Sequence, residues 1–168
     1  MTDAHEDRRI AALRAIGLID LTDLADDHAP DGIDAACQRA SEHRTAAVCV
    51  WPEFVATCAG LLDGSGVRVA TVVNFPSGDE PVEAVVAATL AALRDGADDI
   101  DVVLPYRAFL SGDEERAATM IRALAELVDA PAIVKVILET GAFPDAQSIS
   151  AAARLAIAAG ADVVKTST

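Results

Sequence analysis

Lysine is almost missing from this sequence. Its 168 residues contain 13 lysines and arginines together, and only Lys135 and Lys165 are lysine. Aromatic residues are also scarce, at 4% against 52% hydrophobic residues. A core must therefore be assembled mainly from Ala, Val, Leu and Ile, which suits parallel strands covered by helices. Positive charge is in deficit: the net charge is −14 and the isoelectric point is near 4.4. That balance argues against nucleic acid or an anionic membrane as partner, since either needs a basic face. A small phosphate in a local pocket is still compatible with it. No segment is long and apolar enough to span a bilayer. The stretch from Met1 to Arg9 has no apolar run behind a basic start, so it does not read as a secretory signal. The three cysteines, Cys37, Cys49 and Cys58, are odd in number and lack paired metal spacing. They read as free thiols in a reducing cytoplasm, with no metal site and with Cys49 in the core rather than acting as a nucleophile. His5, His28 and His43 fall in polar segments and read as solvated.

Both lysines lie in apolar, strand-like runs, Ile133-Val134-Lys135-Val136-Ile137-Leu138 and Ala161-Asp162-Val163-Val164-Lys165-Thr166. A lysine buried in such a run is desolvated, which lowers its pKa, and a second cation nearby lowers it further. An ordinary lysine, with pKa about 10.4, is neutral in only about one molecule in a few thousand at pH 7. Tuning it toward 7 is one route to an amine nucleophile, and the sequence leads us to expect a depressed pKa at Lys165.

Strand-like runs marked by Asp20, Cys49, Val72, Asp101, Lys135 and Lys165 recur at about 30 residues, the length of one βα unit. The strands read as 18–22, 46–51, 67–74, 99–104, 132–139 and 163–166. Alanine-rich amphipathic helices read as 80–95, 113–128 and 145–159. Ser77-Gly78-Asp79-Glu80-Pro81 and Ser111-Gly112-Asp113-Glu114-Glu115 place acidic groups at helix starts, and Gly96 and Gly160 stand where helices should stop. Gly96-Ala97-Asp98 and Gly160-Ala161-Asp162 form an internal echo, each leading into a strand. Gly64-Ser65-Gly66 reads as a turn rather than a phosphate loop. No linker divides the chain, so residues 1–168 read as a single domain of α/β class.

With all strands parallel, polar residues at their C-terminal ends converge on the face where βα-barrel enzymes keep their active sites. Asp20, Asn74, Asp101, Lys135, Glu139 and Lys165 are expected there. Residues two apart on a strand share a face, so Lys165 points inward with Val163, and Asp101 with Val103. A purely structural reading is equally open at this point: Lys135 pairs with Glu139 or Asp101 as a buried salt bridge, and Lys165 reaches solvent.

Five runs carry a more specific signal. Leu18-Ile19-Asp20-Leu21-Thr22, Ala70-Thr71-Val72-Val73-Asn74-Phe75-Pro76, Ile100 to Arg107, Val134 to Thr140 and Gly160 to Thr168 together, in order and spacing, resemble the deoxyribose-phosphate aldolase family. The resemblance runs from about Leu18 to Thr168. It implies a (β/α)8 TIM barrel and a class I aldolase that reversibly cleaves 2-deoxy-D-ribose 5-phosphate to acetaldehyde and D-glyceraldehyde 3-phosphate, without metal or other cofactor. In that pattern Lys165 matches the lysine that forms the Schiff base. Asp101 matches the aspartate that moves a proton between imine and enamine through a water. Lys135, Asp20 and Asn74 match positions lining the substrate site, and Thr168 one beside the sugar phosphate. A cytoplasmic homodimer handling small phosphorylated sugars and aldehydes is what the family implies.

The family pattern continues for two further strands, with a second catalytic lysine in a Gly-Phe-Lys-Pro-type motif and a Gly/Ser-rich phosphate loop. Neither motif occurs in these 168 residues, which supply about six of eight βα units. We therefore expect a truncated barrel whose activity belongs to a longer chain. Two alternatives stand beside it: another lysine-dependent barrel aldolase, or a non-catalytic fragment acting through self-association.

Overall fold

Six runs rich in β-branched residues become six parallel strands, hydrogen-bonded in the order in which they occur in the chain. The computed structural model of the protein describes residues 4–25 and 30–168. The elements are α1 (Ala4–Ile16), β1 (Asp20–Asp23), α2 (Pro30–His43), β2 (Ala47–Val50), α3 (Val55–Leu61), β3 (Arg68–Val73), α4 (Val82–Arg94), β4 (Asp99–Val103), α5 (Tyr106–Leu110), α6 (Glu114–Ala125), β5 (Ile133–Ile137), α7 (Ala146–Ala158) and β6 (Val163–Lys165). The strands lie where the sequence places them but are shorter, because pairing ends where the chain turns toward the next helix. His43 is exposed at the end of α2. His28 lies outside the described residues, as does the side chain of His5.

Alternation along the strands separates two environments. Val48, Val50, Val69, Val73, Ile100, Val102, Val134 and Val136 join the buried faces of the helices in one apolar core. Inward positions are smaller or charged: Ala47, Cys49, Ala70 and Val72 form a second apolar cluster, followed by Asp99, Asp101 and Lys135, all buried. The sheet is strongly curved. Asp20 on the first strand touches the lysines of the fifth and sixth, which a flat sheet of this order would hold far apart. Among the described residues β1 pairs only with β2 and β6 only with β5. Both outer strands are therefore open edges. Leu18 is 83% exposed, and Ile19, Val163 and Val164 are exposed with it.

The repeated Gly-Ala-Asp is a helix stop joined to a strand clamp. Gly96 and Gly160 have φ of 102° and 110°. Their amides and those of the following alanines close two paired turns, Gly96 N to Leu93 O and Ala97 N to Ala92 O, then Gly160 N to Ile157 O and Ala161 N to Ala156 O. This is the Schellman pattern, which favours glycine at the left-handed position. The aspartate that follows grips the preceding strand twice. Asp98 donates its amide to Val69 O at 2.8 Å and accepts from Val69 N through Oδ2 at 2.9 Å. Asp162 does the same to Val134, at 2.9 Å in both directions. Each clamp sets the register of a strand carrying an inward functional position.

Helix starts correct the sequence reading in part. Asp113 and Asp145 cap α6 and α7 by accepting from Arg116 N and Ser148 N. The Ser77–Pro81 segment does not cap α4: Pro81 occupies the cap position without a side-chain bond. Asp79 pairs instead with Arg107 across the loops. Gly78 lies so close to the next strand's end that a Cβ there would be 2.6 Å from Leu104 O.

Candidate active site

The inward face of the sheet gathers three carboxylates and three cations into one contiguous network. Lys165 Nζ bonds directly to Asp101 Oδ2 and lies 3.3 Å from Asp20 Oδ2. Lys135 Nζ is 2.7 Å from Asp20 Oδ2, 2.8 Å from Asp99 Oδ2 and 3.5 Å from Asp101 Oδ1. Arg68 Nε donates to Asp99 Oδ1 at 2.6 Å. Formal charges cancel within the cluster, which makes it tolerable in a largely buried place. Burial is graded: the side chains of Asp101 and Lys135 are 0% and 6% exposed, whereas that of Lys165 is 26% exposed. Of the two lysines, Lys165 is the one a small carbonyl compound can reach.

The network sits deeper than the sequence suggests. Asp101 and Lys135 are the middle residues of β4 and β5 and face each other in register, and Asp20 opens β1 instead of ending it. Only Lys165 closes its strand. Sheet curvature, not a shared C-terminal rim, brings them together. The structure does not bring Asn74 or Glu139 to the cluster. The Asn74 amide donates to Val103 O and accepts from Glu80 N, so it ties two loops with its side-chain groups already engaged. Glu139, at φ 58°, turns away from Lys135 and accepts from Thr168 N at 2.9 Å. Thr168 is exposed beside it. Of the two partners the structural reading offered Lys135, Asp101 lies within ion-pair distance at 3.5 Å and Glu139 does not, while Asp20 and Asp99 hold the ammonium more closely.

Sequence reasoning passed over Asp99 and Arg68. Asp99 lies two residues before Asp101 and so shares its face, a signal that was available; Arg68 gives no such signal, because it stands at a strand's first residue. Cys49 also joins the site, its Sγ 3.9 Å from Asp101 Oδ2. Burial and the nearby Asp101 carboxylate push its pKa up to about 12, so it remains a thiol, as a core residue should. Beside it Trp51 and Phe75 meet edge to face, 5.4 Å between ring centres, and pack on the inner apolar cluster. A cavity of about 510 Å³ runs from this network toward the strands' N-terminal ends, between Leu18, Ala46, Ile133 and Val163.

The expected depression of the Lys165 pKa is not what the geometry produces. Burial acts to lower it, but the adjoining Asp101 carboxylate outweighs burial and the pKa is raised. Lys135 is raised as well, burial again losing to Asp101, Asp20 and Asp99. Two lysines among three aspartates are held as ammonium ions rather than repelling one another. Asp101 moves up too, chiefly because it is buried, against the pull of both lysines. Asp20, which burial would raise, is held low by Lys135. The resting arrangement is an ammonium in direct contact with a carboxylate whose proton affinity is raised. Asp101 Oδ1 accepts no hydrogen bond among the described residues. The described residues contain no group of His, Cys, Asp and Glu placed to hold a metal ion, and no helix long and apolar enough to cross a membrane.

Comparison with known proteins agrees with this architecture. A deoxyribose-phosphate aldolase from Agrobacterium fabrum is 50% identical to the whole chain, which spans 66% of that protein. A solved deoxyribose phosphate aldolase from Aeropyrum pernix, described as a tetramer, is 28% identical with a TM-score of 0.84 over 96% of this chain and 67% of its own. A Coccidioides immitis structure, itself provisionally assigned to the same activity, is 35% identical with a TM-score of 0.87, covering 93% of this chain and 61% of its own. The chain thus spans 61–67% of the length of these three proteins. The model of the DeoC/LacD family of aldolases matches residues 14–168, and the chain, six βα units of a TIM-type barrel with its ionised cluster on the inner face, belongs to that family.

Proposed function

We propose that this chain carries the Schiff-base half of a deoxyribose-phosphate aldolase site, with Lys165 as nucleophile and Asp101 as its acid/base partner. The observation that carries the reading is the direct contact between Lys165 Nζ and the buried Asp101 Oδ2. Asp101 accepts the ammonium proton, and the neutral amine adds to C1 of 2-deoxy-D-ribose 5-phosphate. Loss of water gives an iminium ion. That cation withdraws the electrons of the C2–C3 bond, the C3 hydroxyl loses its proton, and D-glyceraldehyde 3-phosphate departs from an enamine. Protonation of the enamine carbon and hydrolysis then release acetaldehyde and restore the amine. The raised proton affinity of Asp101 suits it to carry the proton in both directions, through a water held at Oδ1. Lys135 and Asp20 bind the substrate's polar groups and hold the charge balance, and Thr168 stands beside the phosphate. Asn74, with its side chain already bonded, supports this face by fixing loops. The chemistry calls for no metal or other cofactor. The matched family leads us to place the protein in the cytoplasm as a homodimer acting on phosphorylated sugars and aldehydes.

The test is release of acetaldehyde from 2-deoxy-D-ribose 5-phosphate, followed by coupled reduction. Cleavage dependent on Lys165 supports the reading; cleavage of a different phosphorylated sugar or keto acid in its place moves the protein to another lysine-dependent aldolase. The open edges at β1 and β6, with Leu18, Ile19, Val163 and Val164 exposed, favour a second behaviour for residues 1–168 by themselves: self-association with little turnover. Size-exclusion chromatography with light scattering should show oligomers for that segment, and monomers with full activity would contradict both expectations.

A further inference from the structure

We propose that Asp99, held in place by Arg68, is a positioning residue that draws the ammonium of Lys135 away from Asp101 and so leaves Asp101 to Lys165. The proposal rests on the Schiff-base reading of Lys165.

In a parallel sheet the nearest inward neighbour of Lys135 is Asp101, its register partner on β4. Yet Nζ lies 3.5 Å from Asp101 Oδ1 and only 2.8 Å from Asp99 Oδ2, one inward step toward the strand's start. The displacement has a visible cause. Asp99 is buried and its two oxygens are divided, Oδ2 to Lys135 and Oδ1 to Arg68 Nε. Arg68 is itself fixed to the backbone, donating to Asp98 O at 2.8 Å and Pro131 O at 3.1 Å. A guanidinium anchored on two carbonyls gives Asp99 a fixed geometry, as a fork-shaped donor can. Asp20 holds Lys135 from the opposite side at 2.7 Å. With Lys135 pinned between Asp99 and Asp20, Asp101 keeps Oδ2 on Lys165 and Oδ1 without a hydrogen bond.

The charged and titratable groups facing Lys165 are Asp20 on β1, Cys49 on β2 and Asp101 on β4; Lys135 on β5, Asp99 on β4 and Arg68 on β3 continue the network behind them. Neutralising Asp99 alters this set in one direction. Lys135 then settles on Asp101, which becomes doubly paired and a weaker base. Lys165 then shares Asp101 with a second cation that has moved toward it, so its amine is freed at lower pH. Imine formation and proton transfer should therefore respond in opposite ways.

Two quantities are measured on the protein with acetaldehyde: the pH dependence of borohydride-trapped adduct on Lys165, and exchange of the acetaldehyde methyl hydrogens with deuterated solvent. For Asp99→Asn we expect the trapping midpoint to move to lower pH, while exchange per trapped adduct falls by about tenfold or more, the scale of an impaired proton-transfer group. Asp99→Glu should bring both back toward the wild type. Asp99→Ser gives the same readings if the amide variant does not fold. A role limited to structural support predicts trapping and exchange falling together with an unmoved midpoint, and that result overturns the proposal. A wild type that forms no adduct on Lys165 overturns the Schiff-base reading first, and the positioning role with it.

Discussion

The two faces of the same six strands are built on opposite terms. On the outer face, Ile100, Val102, Val134 and Val136 are each at most 1% exposed and pack against helices without a charged neighbour of their own face. On the inner face, one residue away along each strand, Asp99, Asp101 and Lys135 are buried almost as completely but interact through ions. Apolar packing is tolerant of sequence as long as volume is kept. An ionic network that loses one partner leaves a buried charge uncompensated. Stability should therefore be concentrated on the outer face and chemistry on the inner one, and variants of each face should separate the two.

The largest effect is expected at Lys165. Lys165→Met should abolish the trapped adduct and lower cleavage by three orders of magnitude or more, on the order of what loss of a covalent nucleophile costs. Intact-mass measurement and circular dichroism would show loss of adduct with the fold retained. Asp101→Asn keeps shape and removes the base; methyl exchange should fall by about 10² to 10⁴, measured by NMR, with the adduct on Lys165 still detectable at high pH. The outer face should behave in the reverse manner. Ile100→Ala, at a fully buried position, should cost about 2–5 kcal/mol in urea unfolding while the adduct per folded molecule is unchanged.

The smallest effect is the pH dependence of Lys135. Burial is outweighed by the carboxylates of Asp101, Asp20 and Asp99, which raise its folded pKa above the ordinary lysine value of about 10.5, so the folded chain holds a proton that the unfolded chain begins to lose near that pH. The associated stability is fully present below about 10.5 and is lost as pH rises toward the folded value. Unfolding midpoints of the wild type should therefore decline above that pH more steeply than those of Lys135→Met, and equal slopes would remove the ion pairs from the stability account.

Much of this was legible in the sequence because period and spacing carry it. Strand alternation separated the faces, the repeated Gly-Ala-Asp marked helix stops before β4 and β6, and the scarcity of lysine isolated Lys135 and Lys165. Curvature was implied only by the resemblance to a barrel family and not by period or spacing. It alone brings Asp20 of β1 to Lys135 and Lys165, and it depends on the sum of many inter-strand rotations rather than on any one residue. The direction of the Lys165 pKa was misjudged for a related reason. The sequence shows two cations in register-related strands, but it does not show that Asp101 touches Lys165 closely enough to outweigh burial, nor that Asp20 is brought beside them by that same curvature. Asn74 and Glu139 were misplaced because both have left-handed backbone, with φ of 56° and 58°, just beyond their strands, where the alternation rule no longer holds.

The central proposal is that Lys165 rather than Lys135 is a nucleophile, because a buried carboxylate touches it and its side chain is the more exposed of the two. Incubation with acetaldehyde and borohydride, followed by peptide mapping, tests it most directly, since Lys135 and Lys165 are the only lysines in the sequence. The account predicts an adduct on Lys165 well in excess of any on Lys135. Equal labelling of the two, or labelling of Lys135 alone, would contradict it.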